Sequence, residues 1–286
     1  MVEVYVVSAF SKGNAGGNKA GIVLDRPDLE KSQKIAIAKT LGYSETAFVT
    51  QSKQADFCLE YFTPTEEVPL CGHATIATFS LLNKLGKLDK SEYTIDTKSG
   101  VLKIQIAPDG LIFMAQNPPK FYEQLQPELF AGCFDTAYIN EILPIEVVST
   151  GLKDIMLPIK TNQDLMQLVP NFQAIADLSK KQAVVGLHAF TLDIQENSDD
   201  SVINCRNFAP LYDIDEESAT GTSNCALACY LFKHVEQRDQ YVFEQGHCLG
   251  SLSRIIVNLS SQDDTITSVS VGGKGYFIEK KSLLID

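Results

Sequence analysis

Met1 to Phe10 is rich in Val and Tyr and lacks breakers, which predicts a strand. Gly13 to Gly21 packs four glycines and two asparagines into a short stretch, which predicts a loop. A helix is predicted over 28–41, where Ile35, Ala38 and Leu41 recur at helical spacing and Gly42 is placed to cap the end. Strands are predicted at 46–50 and 56–62, then an apolar helix over 72–85 that stops at Gly86. Further strands are expected around 93–97, 101–107 and 111–116. Asn117-Pro118-Pro119 then breaks the pattern and marks the best domain boundary.

The second half repeats the grammar of the first. Phe62-Thr63-Pro64 leads to Cys71-Gly72-His73-Ala74-Thr75 and an apolar helix. Phe208-Ala209-Pro210 leads to Thr220-Gly221-Thr222-Ser223-Asn224 and another. The offset is 146 residues at the prolines and 149 at the glycines, so a three-residue insertion separates two parallel segments. The acidic pairs Glu66-Glu67 and Glu216-Glu217 match as well. Half of the 286-residue chain is about 143 residues, the size this offset requires of a duplicated α/β unit.

Composition narrows the function classes. Hydrophobic residues make up 44% and charged residues 21%, an ordinary globular balance that argues against disorder. A net charge of −12, with no basic stripe, argues against a nucleic-acid partner. No apolar run approaches the roughly 18–20 residues that span a bilayer, and the opening segment carries Glu3 where a signal peptide would be basic. A cytoplasmic protein without a membrane partner is expected. Seven scattered cysteines form no disulfide framework, and the pair Cys225 and Cys229, lacking a partner pair at zinc-ligand spacing, reads as packing.

Candidate chemistry gathers at the two predicted helix starts. The first turn of a buried helix has unsatisfied N–H groups and partial positive charge. Gly72 and Gly221 would let a ligand approach them, which makes a receptor for a small anion such as a carboxylate. Three groups could work on that anion. Glu45 precedes Ala47 and Phe48, so apolar walls would raise its pKa toward the range useful for proton transfer. His73 lies in a glycine-framed turn, and Glu217 lies four residues before Gly221. Each glycine also has a reading as a turn former alone, and each of the three polar groups has an ordinary structural use. The chain has no phosphate loop, no dinucleotide fingerprint and no nucleophile elbow. His73, His188, His234 and His247 show no metal-ligand spacing, and the last three read as surface or structural residues. Acid/base chemistry without cofactor or metal is what these absences predict.

Taken together, the motifs identify a resemblance to the PhzF-like family, the phenazine-biosynthesis isomerase-like proteins with the diaminopimelate epimerase fold. It is carried by Val6-Val7-Ser8-Ala9-Phe10 with Gly17-Asn18-Lys19-Ala20-Gly21, by Ser44-Glu45-Thr46-Ala47-Phe48, and by Phe62-Thr63-Pro64 through Thr75. In the second half it is carried by Arg206 to Pro210, Glu216 to Gly221, Gln245-Gly246 and Val271-Gly272-Gly273. The resemblance implies an α+β fold of two pseudo-symmetric halves, each a mostly antiparallel sheet wrapped around a central helix. The halves would be 1–117, joined by the extreme C-terminal residues, and 118–286, with the active site in the cleft between them. It further implies a homodimer, no cofactor, and an isomerase that shifts a proton between carbons of a small carboxylic acid. The phenazine enzyme isomerises a dihydro-hydroxyanthranilic acid in this way. Glu45 matches the family's proton-carrying glutamate, with His73 and Glu217 as partners. Asn18, Gly72, Gly221 and Thr222 match the substrate-binding positions.

Two departures bear on the chemistry. Glu217-Ser218 stands where the family commonly has Asp-Pro, so its carboxylate reaches about one methylene further. Related racemases oppose one cysteine from each half, but here Cys71 faces Thr220 in that scheme, and a threonine hydroxyl cannot replace a thiolate at neutral pH. Cys71 is therefore expected to be a packing residue. An epimerase of the same fold, and a metabolite-binding or interaction protein without turnover, stay open as alternatives.

Overall fold

The computed structural model describes residues 1–193 and 202–284. By contacts the chain divides into two units, Met1–Ala115 with Gly272–Asp286, and Gln116–Val271.

The first unit begins with β1 (Val2–Ala9), β2 (Asn18–Leu24), α1 (Lys31–Leu41), β3 (Glu45–Thr50) and β4 (Phe57–Phe62). It continues through β5 (Glu67–Val68), α2 (Gly72–Lys84), β6 (Glu92–Thr97), β7 (Gly100–Ile106) and β8 (Ile112–Gln116). Strand β18 (Gly275–Leu283) returns to pair antiparallel with β1. The sheet is mixed: β1–β2, β3–β4, β4–β5, β6–β7 and β7–β8 are antiparallel, whereas β2–β3 and β4–β6 are parallel.

Each element predicted in this unit is found, with shifted edges, and β2 and β5 are strands the sequence reading does not include. The predicted loop over 13–21 ends earlier, because Asn18 to Gly21 already pair with β1. Gly21 serves close packing and not a turn: a Cβ there would lie 2.5 Å from Leu41 Cδ1 and 2.9 Å from Thr46 Oγ1. Helix α1 starts at Lys31, three residues later than expected, because Glu30 and Gln33 form a capping box that fixes the first turn. Its end at Gly42 is as predicted, with the glycine in the left-handed region.

Helix α2 is apolar on nearly every side, and the structure buries it against β1, β2, β3 and β18. Its two threonines sit in that core without orphaned hydroxyls. Thr75 and Thr78 donate to the carbonyls of Cys71 and Ala74 at 2.7 and 2.8 Å, and Tyr61 meets Thr75 Oγ1 at 2.6 Å. Val2, Val4, Val23, Phe48 and Phe62 form a further apolar cluster with Ile37 and Ala38 of α1.

The second unit opens with β9 (Lys120–Leu125), β10 (Ile145–Ser149), β11 (Lys153–Ile159), α3 (Asn162–Gln167) and α4 (Phe172–Gln182). It goes on through β12 (Gly186–Thr191), β13 (Val202–Ala209), β14 (Ile214–Glu217), α5 (Gly221–His234), β15 (Gln240–Gln245), β16 (Ser253–Gln262) and β17 (Thr265–Gly273). Strand β13 pairs antiparallel with β12 and β14 and parallel with β15, and α5 lies buried against β10, β11 and β16. Cys225 and Cys229 are fully buried on α5, and burial raises both thiol pKa values, as packing residues require. Among the described residues, no helix is long and apolar enough to cross a membrane.

Candidate active site

Glu45 is the first residue of β3, set beside Ala20 of β2 in parallel register. Cys71 caps α2 in extended conformation, and Gly72 and His73 are the first residues of the helix. The fold brings Glu45 and His73 together: Glu45 Oε2 lies 3.3 Å from His73 Nε2. Asn18, the first residue of β2, reaches the other ring nitrogen, with its amide 3.5 Å from Nδ1. Gly17 makes that placement possible. Its φ is +82°, and a Cβ there would lie 2.4 Å from the carbonyl oxygen of Ala9, so no larger residue can precede Asn18 in this turn.

The Asn18 amide and the Cys71 thiol both approach Nδ1, which leaves Nε2 as the ring nitrogen that faces Glu45. The imidazole meets the carboxylate at ion-pair distance, but Oε2 is shut off from water and accepts no well-directed hydrogen bond. Burial pushes the Glu45 carboxyl above its ordinary value, and a hydrogen bond from the Cys71 thiol offsets part of that rise. A carboxylate so placed has an oxygen ready to accept a proton and a neighbour able to stabilise either charge state.

Cys71 belongs to this cluster, contrary to the expectation that it only packs. Its Sγ stands 3.4 Å from His73 Nδ1 and 3.9 Å from Nε2. The sequence does not announce this, because the thiol's partner Glu45 is brought in from a different strand. Gly72 is partly open, and a Cβ built on it would touch only Met114 Cε, at 3.4 Å. Cys71, at the N-cap of α2, makes no side-chain cap hydrogen bond to the first turn.

The remaining predicted residues lie in the second unit. Glu217 ends β14, half-buried, and its Oε2 accepts a hydrogen bond from Thr220 Oγ1 at 3.2 Å. Thr220 is the N-cap of α5, likewise without a side-chain cap bond, and Gly221 and Thr222 open the helix. Thr222 is held through its carbonyl, which accepts from Thr150 Oγ1 at 3.2 Å. Thr220, weak as an acid or base, therefore orients the neighbouring carboxylate.

Gln245 sets the geometry of this segment. It is fully buried at the end of β15 and donates from Nε2 to the Glu217 carbonyl at 2.7 Å and to Thr220 Oγ1 at 3.0 Å. Its Oε1 accepts from Thr220 N at 3.3 Å and from Asn224 Nδ2 at 2.9 Å. Behind it, Asn224 faces His188, His188 faces Asn207, and Ser223 donates to the buried Asp154 at 2.7 Å. Arg206 makes a two-pronged contact with Glu216, at 2.9 and 2.8 Å, and donates to the carbonyls of Leu165 and Leu168. Of the acidic pair, Glu216 is thus structural. Strand alternation turns Glu217 to the opposite side.

Residues 7–281 match the sequence profile of a protein family described as phenazine biosynthesis-like protein. The chain is 32% identical over 284 residues to the uncharacterized isomerase YddE of Escherichia coli (strain K12), covering 95% of this chain and 94% of that protein. A crystal structure of a phenazine biosynthesis protein of the PhzF family from Bacillus anthracis matches with a TM-score of 0.91 and 28% identity, over 99% of both chains. A hydroxyproline epimerase from Agrobacterium vitis is similar in fold alone, with a TM-score of 0.59 and 11% identity over 98% of this chain and 91% of that one.

Proposed function

The chain belongs to the phenazine biosynthesis-like protein family, and from that premise we propose that it is an isomerase that moves a proton between carbon atoms of a small carboxylic acid, with Glu45 as the carrier. The observation that carries this reading is the half-buried Glu45 carboxylate, 3.3 Å from His73 Nε2, at the uncapped start of a buried helix. Glu45 takes a proton from one carbon of a conjugated system and returns it at another, so the electron pair moves through the substrate and the side chain ends as it began. His73 stabilises the charge on Glu45 in its two states, and Asn18 holds the imidazole ring in place. Backbone N–H groups at Gly72 receive the substrate carboxylate. Within the second unit, Glu217 is proposed to orient substrate and tune its protonation, and Gly221 and Thr222 to cradle a polar group. No step in it calls for a cofactor.

The same proposal treats the two units as copies of one ancestral unit. Support comes from the strand order: β4 pairs with β3, β5 and β6 as β13 pairs with β12, β14 and β15, parallel only to the last. In each unit a buried helix whose first residue is glycine lies between the second and third partner, α2 between β5 and β6 and α5 between β14 and β15. The extra residues of the second copy fall where Pro210–Tyr212 makes one 3-10 turn.

The test is incubation in deuterium oxide with a panel of small unsaturated and cyclic carboxylic acids, followed by mass spectrometry. Incorporation of one solvent deuteron into a bound acid, at a carbon not otherwise exchangeable, is the expected result. Acids that bind tightly and never exchange would instead mark a binding protein.

A further inference from the structure

The donor set around Glu45 has a second chemical use. Glu45, Cys71 and His73 offer a carboxylate oxygen, a sulfur and an imidazole nitrogen, all within 4.8 Å of one another. Two of the separations are informative. His73 Nε2 is 3.3 Å from Glu45 Oε2 and 3.9 Å from Cys71 Sγ. Tetrahedral zinc, with bonds of about 2.0 Å to nitrogen and oxygen and about 2.3 Å to sulfur, requires edges of about 3.3 and about 3.5 Å between the same atom types. The first edge is already in place; the sulfur, which now lies nearer Nδ1 at 3.4 Å, reaches the metal-facing side of Nε2 by a change of the Cys71 rotamer. Cys71 and His73 are 7% and 6% exposed, so an ion bound there is shielded from water.

We propose that Glu45, Cys71 and His73 form a site for a soft divalent metal ion, zinc above all, and that the bound ion silences the proton carrier. Sulfur and imidazole donors select zinc over magnesium or calcium, which prefer all-oxygen shells. Three protein ligands leave the fourth position to water or a substrate oxygen. Binding through Nε2 leaves the ring proton on Nδ1, where a turn of the Asn18 amide presents its oxygen as acceptor and fixes that tautomer. The thiol gives its proton to the buffer, and no electron changes hands. Such an ion takes the carboxylate that the isomerase reading needs free; only this inhibitory consequence rests on that reading, and the binding claim stands apart from it.

The test is titration of the full chain, first stripped with a chelator, with cobalt chloride followed by near-ultraviolet and visible absorbance. Zinc chloride is then added as competitor. One saturating equivalent with a thiolate-to-cobalt charge-transfer band, displaced by zinc, is expected. Cys71→Ser should abolish the band, and Glu45→Gln and His73→Gln should each weaken binding by about tenfold or more. Cys248→Ser removes the exposed thiol beside Met166 and should change nothing. Should a variant fold poorly, the zinc-induced rise in melting temperature of the wild type and of the conservative Glu45→Gln protein decides the matter. A band that survives Cys71→Ser, a band lost in Cys248→Ser, or no saturable binding would overturn the proposal. Because none of these readouts involves a substrate, a protein without isomerase activity could still pass, and an active isomerase could still fail.

Discussion

The Glu45 carboxylate and the His73 imidazole meet at 3.3 Å, although one stands at the start of a strand and the other in the first turn of a helix. Glu45 is placed by β3, which runs parallel to β2, the strand that also supplies Asn18. The consequence of the meeting is a carboxylate in a poorly hydrated place, with one neighbour that can carry charge and another, Cys71, that donates to it.

Cys71→Ser separates one carrier from two. A serine hydroxyl can replace the thiol as a donor to Glu45 but cannot act as a carbon base at neutral pH. The account expects proton exchange within about tenfold of wild type, measured by deuterium incorporation. A dead Cys71→Ser protein, folded by circular dichroism, would favour the two-carrier chemistry of an epimerase.

Gly72→Ala probes the helix start as an anion cradle. The new methyl meets only Met114 Cε at 3.4 Å, an ordinary contact, and alanine is the better helix former. Thermal stability should hold within about 1 kcal/mol, while the methyl group blocks close approach of a carboxylate and KM rises about tenfold. An unchanged KM would show that the glycine serves the backbone alone.

Much of this was legible in the sequence, for identifiable reasons. Apolar runs bounded by glycine or proline fix β1, α1 and α2 because burial and backbone conformation are local properties. Glu45, His73 and Gly72 stand out because their short motifs carry the residues themselves. What the sequence withholds is long-range partnership. Cys71 reads as packing until β3 brings Glu45 to it. Gln245 reads as part of a motif of unknown use until its amide is seen to hold both Glu217 and Thr220. Asp154 and His188 give no signal at all, since a buried acid on β11 looks like any other polar residue in a strand.

Gln245→Met tests that clamp with a side chain of similar length and no amide. It leaves Thr220 N and the Glu217 carbonyl without their partner. The cost should be about 2–3 kcal/mol of stability, read by urea unfolding, because buried polar groups lose their hydrogen bonds. Substrate affinity should fall with it. Unchanged stability would remove Gln245 from the role.

The buried polar groups of the second unit predict an opposed pair of pH effects. Burial pushes the Asp154 carboxyl up to about 6 and the His188 imidazole down to about 4. For Asp154, the stability gained from the neutral form is full below its ordinary value of 3.8 and is lost as pH rises through about 6. For His188, it is full above 6.5 and is lost as pH falls through about 4. The two nearly offset each other in the wild type. Relative to it, Asp154→Asn should gain up to about 3 kcal/mol as pH rises from 4 to 6.5, and His188→Gln should lose a similar amount over the same window. Urea unfolding at several pH values checks both, and parallel profiles for all three proteins would contradict the assignment.

The central claim is that one carboxylate carries the proton, and the rate of solvent-deuteron incorporation in Glu45→Gln against wild type tests it most directly. The account predicts a fall of about 10²- to 10⁴-fold with the bound substrate still retained, since the amide keeps the shape and loses the base. Exchange at the wild-type rate in Glu45→Gln would place the proton on some other group.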